Sequence, residues 1–174
     1  MPIYMKLESD NHGVITQNAG SEKIAGRNSF TSSPASADHT LVYDWGFDFE
    51  QPHNSSFGGA DHSQAALETK VWFKLPAYHG ITALTLNVIN SKDKLKSLDL
   101  VQIDRVGSTG KGQITSKSTF SDGIITKVTT EQGDQRDSAT KGRGTIIIEM
   151  KFQQYQHECN LSNVTGNVVT TNAG

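Results

Sequence analysis

Six histidines are the residues of this chain whose chemistry could serve catalysis or metal binding: His12, His39, His53, His62, His79 and His157. Imidazole can act as a zinc ligand or as a general base near neutral pH. None of the six forms the His-x-x-x-His pair that places two ligands on one helix face. His53 and His62 share a loop with Asp61 and could approach each other, but solvated loop histidines explain the same pattern. The sequence therefore predicts no metal site and no histidine-based catalytic site.

The other reactive residues also have plain structural explanations. The chain contains no Gly-x-Ser-x-Gly elbow, and Cys159 follows His157 by two positions on a strand-like segment, so we interpret it as a structural or incidental cysteine. Asp44 and Asp48 share a strand face and could in principle hydrolyse a glycosidic bond. Alternating polar positions on a half-exposed strand produce such pairs by default. A small hydrolase is the weakest hypothesis, and we predict that the chain is not an enzyme.

The segment GSTGKG at residues 107–112 resembles a phosphate-binding loop only superficially. A P-loop needs four residues between its first glycine and the Gly-Lys pair, then Ser or Thr, then a helix. All three requirements fail here, whereas a tight turn between two strands favours these same residue types. We predict a hairpin turn, and no nucleotide or other cofactor.

Composition limits the remaining function classes. A chain of 174 residues fits one domain, and its net charge of −2 gives no electrostatic reason to expect a nucleic acid or an anionic membrane as partner. The single cysteine excludes an intrachain disulfide and indicates a reducing compartment. The N-terminus lacks the pattern of a signal peptide, so we expect any export to require a dedicated machine.

Apolar residues recur mainly with period two, which predicts a mainly β single domain over residues 1–174. Within it we predict a long polar loop at 13–38, a flexible loop at 51–67 and a weakly structured tail at 159–174. One helix is predicted after Pro76, where Ile81, Leu84 and Val88 follow helical spacing.

Two strands carry the clearest alternation. LVYDWGFDFE is predicted as the best core strand, with one apolar face made of Leu41, Tyr43, Trp45, Phe47 and Phe49. GTIIIEMKFQQYQ places Ile146, Ile148, Met150 and Phe152 on one face and Glu149, Lys151 and Gln153 on the other. We predict that its apolar face packs on the Trp45 and Phe47 side of the core. The role of its polar face is left open by the alternation alone.

Four segments in order resemble the haemolysin-coregulated protein (Hcp) family, whose members form the inner tube of bacterial type VI secretion systems. IYMKLESDNHG is similar to the opening strand and turn, and DHTLVYDWGFDFEQP to the second strand. LETKVWFKLPAYHGITALTL resembles the strand that leads into the helix of the family, and GTIIIEMKFQQYQ its late amphipathic strand. The segments are short, but the resemblance that they carry runs in order over most of the chain.

This resemblance implies a fold and an assembly. The expected fold is a single-domain β-barrel of two antiparallel sheets with one short flanking α-helix. The expected role is a structural subunit that forms hexameric rings, which stack into a tube and carry or shelter effectors. The implied partners are further copies of the chain, a spike protein, a contractile sheath and small effectors, without nucleic acid or membrane. The implied location is the bacterial cytoplasm, followed by secretion through the type VI machine without a signal peptide.

The resemblance also implies two interaction surfaces. The loop at 51–67 matches the position of the family's ring-stacking loop, with Phe57 as the anchor, although a mobile solvent-exposed loop is an equal alternative. The candidate stacking residues are His53, Asn54, Phe57, Gly58, Gly59, Asp61 and His62. The polar face of Glu149, Lys151 and Gln153 is expected to line the lumen or a subunit contact.

A binding module is the main alternative function. A monomeric β-sandwich that recognises carbohydrate or a surface partner would share the alternating strands and polar loops. It should show exposed aromatic side chains placed for stacking on a sugar. The two hypotheses differ in oligomeric state, because only the tube subunit should form rings of six.

Overall fold

The computed structural model describes residues 2–20, 37–50, 68–77, 79–105, 112–132 and 144–169. The described part is mainly β, and the predicted mainly β class with one helix is confirmed. The elements are β1 (Ile3–Ser9), β2 (Gly13–Val14), β3 (Thr40–Leu41), β4 (Asp44–Glu50), β5 (Glu68–Pro76), α1 (His79–Ser91), β6 (Leu95–Arg105), β7 (Gly112–Gln132), β8 (Gly144–Cys159) and β9 (Val164–Val169).

The described strands form one continuous antiparallel sheet, whereas the resemblance implied a barrel of two sheets. The strand order is β2-β1-β6-β7-β8-β5-β4, with β3 paired to β1 and β9 paired to β8. β6 and β7 form the two arms of the predicted hairpin, since Arg105 pairs with Gly112, while the turn between them lies outside the described residues. Part of the predicted tail forms β9, which lies along the end of β8.

The run from β3 to β4 connects the two ends of this sheet. Leu41 pairs with Tyr4 of β1, and the Val42 amide donates to the Ile3 carbonyl at 2.9 Å. One residue later the Tyr43 amide donates to the Lys74 carbonyl of β5, also at 2.9 Å. Hydrogen bonds therefore lead from β1 to β5 through this run, which closes the sheet into a barrel.

The barrel interior is built from the apolar faces of its central strands. Val71, Phe73 and Leu75 of β5 are fully buried, as are Ile146, Ile148 and Met150 of β8, and all belong to one hydrophobic cluster. Trp45 and Phe47 of β4 pack against the same cluster, as predicted. Burial of each large apolar side chain contributes roughly 1.5–3 kcal/mol, so β5 and β8 supply much of the driving force for folding.

The prediction that residues 41–50 form the best core strand is wrong in its first half. Leu41 and Tyr43 are exposed, whereas Thr40 and Val42 are buried. The inward positions change from even to odd numbers between Val42 and Trp45, at the point where the chain leaves β1 and joins β5. A change of one residue in register moves every following side chain to the other face.

The predicted helix is confirmed as α1, with Ile81 and Val88 buried and Leu84 partly buried against the main core. The helix ends at Ser91, and the next residue, Lys92, has a φ of 54° in the left-handed region. The Asp93 amide then donates to the Val88 carbonyl at 3.0 Å, which satisfies one of the last carbonyls of the helix.

The long polar segment at 13–38 is anchored at both described ends. The Gly20 amide donates to the Ala37 carbonyl at 2.8 Å, and the Asn18 amide donates to Asp38 Oδ1 at 3.0 Å. Ile15 lies in the main core and is 1% exposed, so the segment begins with core residues. The two ends of the excursion therefore meet at its base.

Candidate functional site

The polar face of β8 is where the sequence places a functional surface. Glu149 is half-buried, whereas Lys151 and Gln153 are exposed. The alternation with the buried residues Ile148 and Met150 turns these three side chains to the outside of the barrel. The predicted face exists, and its role as a lumen or subunit contact stays a prediction.

Glu149 is the electrostatic centre of this face. Lys70 of β5 lies 3.4 Å from one carboxylate oxygen, and Lys127 of β7 lies 3.5 Å from the other. Burial alone would raise the pKa of Glu149, but the positive charges of Lys127 and Lys70 hold it below its usual value. Glu149 therefore stays ionised and connects three neighbouring strands.

A second ion pair extends the same face toward the end of β7. Lys74 Nζ lies 2.9 Å from Glu131 Oε2, and the hydroxyl of Thr145 donates to the same oxygen at 3.4 Å. The hydrogen bond from Lys74 is the main cause that lowers the pKa of Glu131. Both signs of charge thus alternate over the outer surface of β5, β7 and β8. Such a mixed surface suits contact with another protein better than contact with a polyanion.

Aromatic packing sets the position of β5 within this surface. Trp72, which pairs with Glu149 across the strands, lies directly over Gly46 of β4. A Cβ atom on Gly46 would lie 2.7 Å from Trp72 Nε1, so only glycine allows this approach.

All seven candidate residues of the ring-stacking loop lie outside the described residues. They include His53 and His62, the two histidines considered as possible metal ligands. The structure describes the base of that loop, where Glu50 at the end of β4 pairs with Glu68 at the start of β5. The loop therefore connects the two strands of one hairpin, and its role in stacking stays a prediction.

The structure brings together one serine and one histidine that the sequence did not pair. Ser118 of β7 lies opposite His157 of β8, and Ser118 Oγ is 2.8 Å from His157 Nδ1. Within the described residues His157 has no carboxylate partner, and Ser118 is 4% exposed. The pair therefore lacks the third group that orients a catalytic histidine. Only the register between β7 and β8 could have revealed it.

Cys159 ends β8 and is a free cysteine of intermediate exposure. Hydrogen bonds from Ser162 and Leu161 lower the pKa of its thiol. Among the residues that the structure describes, no three His, Cys, Asp or Glu side chains are grouped closely enough to hold a metal ion.

Comparisons with known proteins find this architecture in solved structures. No protein-family model and no curated protein sequence matches the chain. A crystal structure of an Hcp protein superimposes with a TM-score of 0.80 at 16% identity and covers 99% of both chains. The secreted protein Hcp3 from Pseudomonas aeruginosa gives a TM-score of 0.68 at 15% identity, over 98% of both chains.

The chain has the Hcp fold. A type VI secretion system effector from Yersinia pestis also matches, with a TM-score of 0.58 at 14% identity over 97% of this chain and 99% of that one. The resemblance that the four sequence segments indicate is confirmed for the fold, although so few residues are identical.

Among the described residues, the large apolar side chains with the greatest exposure lie in the β8–β9 hairpin. Leu161 is 70% exposed, Val164 61% and Val169 59%. Within the described residues β9 pairs only with β8, so its other edge carries unpaired backbone groups. Exposed apolar side chains beside a sheet edge favour contact with another protein. No helix in the described residues is long and apolar enough to span a membrane.

Proposed function

We propose that the chain is a structural subunit of the inner tube of a bacterial type VI secretion system. The observation that carries this proposal is the match to an Hcp structure over 99% of both chains. A matched protein from Yersinia pestis is described as a type VI secretion system effector, which supports the same system. The role is geometric, and the chain supplies walls and contacts rather than catalysis.

In this proposal six copies close into a ring through a heterologous interface. Such an interface pairs two different surfaces of neighbouring subunits and closes when the rotation between them allows. The apolar hairpin around Val164 and the charged face around Glu149 are two different surfaces that could meet the next subunit or line the lumen. Rings would stack through the loop at 51–67, with Phe57 as its anchor.

The proposed partners follow from this geometry. They are further copies of the chain, a spike protein, a contractile sheath and small effectors carried or sheltered in the lumen. The tube would assemble in the bacterial cytoplasm and leave the cell through the type VI machine. A monomeric binding module is the competing function, and it predicts no assembly at all.

Solution mass and electron microscopy test the proposal together. Light scattering should give six times the mass of one chain, and negative-stain images should show rings with a central hole. A clean monomer at high protein concentration, without rings in the images, would contradict the tube hypothesis.

Lys151→Glu separates a subunit contact from an ordinary surface position. Lys151 is exposed and carries no ion pair among the described residues, so the free energy of unfolding should change by less than about 0.5 kcal/mol. The new carboxylate would lie on the face that already holds Glu149, and should repel an acidic neighbour or lose a partner in the ring. We expect a smaller fraction of hexamer in light scattering.

Lys92→Glu is the matched control, because Lys92 is exposed directly after α1 and belongs to no strand of the sheet. It changes the net charge equally and should leave the hexamer fraction unaltered. An equal hexamer fraction in the two variants would place Lys151 outside the subunit contact. Rings in both variants would still support the tube proposal.

A further inference from the structure

A cleft opens at the mouth of the barrel, where β4 separates from β1. Its volume is about 230 Å³, and β1, β4, β6, β7 and β8 all contribute to its walls. Ile3 and Leu100 form part of the apolar lining. Mouths of β-barrels are common ligand sites, because the diverging strands leave room that the side chains do not fill.

One wall of the cleft is a row of planar rings. The Trp45 and Phe47 rings are stacked with centroids 5.3 Å apart, and Phe47 lies 5.4 Å from Tyr155. Tyr155 in turn stacks on the His157 ring at 6.4 Å and an angle of 22°. All four rings line the cleft and are partly exposed, so part of each ring is accessible to a further planar group.

The rest of the lining is polar and meets the ring wall at His157. Ser118 Oγ lies 2.8 Å from His157 Nδ1, and the Ser116 hydroxyl donates to Gln102 Oε1 at 3.3 Å. The described lining residues include no Lys, Arg, Asp or Glu. An ionic ligand would therefore lose its hydration without meeting a carboxylate, ammonium or guanidinium group, whereas a hydroxyl or amide could join the existing hydrogen bonds.

We propose that this cleft binds a small, neutral, planar aromatic molecule that carries one hydroxyl or amide group. An apolar cavity of about 150 Å³ is known to bind benzene, so the larger cleft can hold a fused two-ring molecule. The ligand would stack on the ring wall and direct its polar group toward Ser116 and Gln102. The cleft lies within one subunit, so the proposal does not depend on ring assembly.

Calorimetric titration with 2-naphthol, combined with two-dimensional NMR of the two tryptophan indoles, tests this site. We expect one molecule bound per chain with a Kd on the order of 0.1 mM. The indole N–H signal of Trp45 should shift on binding. The signal of Trp72, which lies over Gly46 on the outer surface, should stay in place and serves as an internal control. The variant Trp72→Phe assigns the two signals.

Ser116→Phe places a ring in the cleft and should weaken binding at least tenfold. Thr130→Phe adds the same ring at an exposed position of β7 outside the cleft and should leave Kd unchanged. Should Ser116→Phe fail to fold, Trp45→Leu provides the second test, because it keeps an apolar side chain and removes the stacking surface. We expect it to weaken binding at least fivefold.

Three results would overturn the proposal. The first is the absence of saturable heat and of any Trp45 shift up to the solubility of 2-naphthol. The second is unchanged affinity in both Ser116→Phe and Trp45→Leu. The third is at least tenfold tighter binding of a tryptophan-containing peptide than of 2-naphthol, which would assign the cleft to a protein partner instead.

Discussion

Gly123→Ala is expected to lower the free energy of unfolding by about 2–3 kcal/mol, although it adds a single methyl group. The ring of Phe152 lies directly on the backbone of Gly123, its cross-strand partner. A Cβ atom there would come within 2.8 Å of the Lys151 carbonyl oxygen and closer still to the ring. Phe152 is 4% exposed and packs on Phe120 with ring centroids 5.3 Å apart, so it has little room to move.

Urea unfolding of both proteins measures this effect, with Gly166→Ala as the matched control. Gly166 also lies in a strand, but a Cβ atom added to it would meet nothing within 4 Å. Its free energy of unfolding should therefore change by less than about 0.5 kcal/mol. Equal stability of the Gly123 variant and the unmodified chain would show that the ring does not rest on the glycine backbone.

The sequence predicts those parts of the fold that depend on local patterns. The alternation in β8 correctly identifies Ile146 and Ile148 as core residues, because one face of the strand must leave water. The spacing of Ile81 and Val88 correctly predicts a helix, although the Thr, Val and Ile residues of this segment favour a strand. In these elements the hydrophobic pattern of the sequence and the tertiary structure place the same side chains in the core.

Elements that change partners are predicted less well. Leu41 and Tyr43 fit the alternation of Trp45 and Phe47, yet they are exposed because the chain passes from β1 to β5 between them. On β1, Tyr4 lies on the face opposite to Met5 and Leu7 but is only 9% exposed, since it packs in a second small cluster with Val101 and Ile103 of β6. The pairing between strands decides whether these side chains face the core or the solvent, and the pattern of a single strand does not contain that pairing.

The candidate surfaces also combine features that follow from the pattern of one strand with features that depend on the pairing between strands. The outward direction of Lys151 follows from alternation within β8, and the structure agrees with it. The ion pairs of Glu149 with Lys70 and Lys127 join residues far apart in sequence, so they depend on the register of β5 and β7 against β8. The contact between Ser118 and His157 depends on register in the same way.

Asp93→Asn is expected to lower the free energy of unfolding at neutral pH by about 2–3 kcal/mol. The Asp93 side chain is 1% exposed and holds the β1–β2 turn against the end of α1. Asn11 donates to it twice, from its backbone amide at 3.0 Å and from its side-chain amide at 2.6 Å. His12 Nδ1 lies 3.0 Å from the same carboxylate. An amide offers one acceptor in place of two and directs an N–H group toward these donors.

The effect should depend on pH in a defined direction. Burial alone would raise the pKa of Asp93, but hydrogen bonds from His12, Asn11 and Ser9 lower it from 3.8 to about 2. Because the folded pKa is the lower one, the carboxylate stabilises the fold fully above pH 3.8, and this contribution is lost as the pH falls toward 2.

Urea unfolding between pH 7 and pH 2 measures this dependence. The difference in unfolding free energy between the unmodified chain and Asp93→Asn should shrink as the pH falls from 3.8 toward 2. Asp10→Asn, at an exposed position of the same turn, should show no comparable difference. A constant difference at every pH would mean that the amide changes packing alone, and that the ionised carboxylate does not hold the turn to the helix.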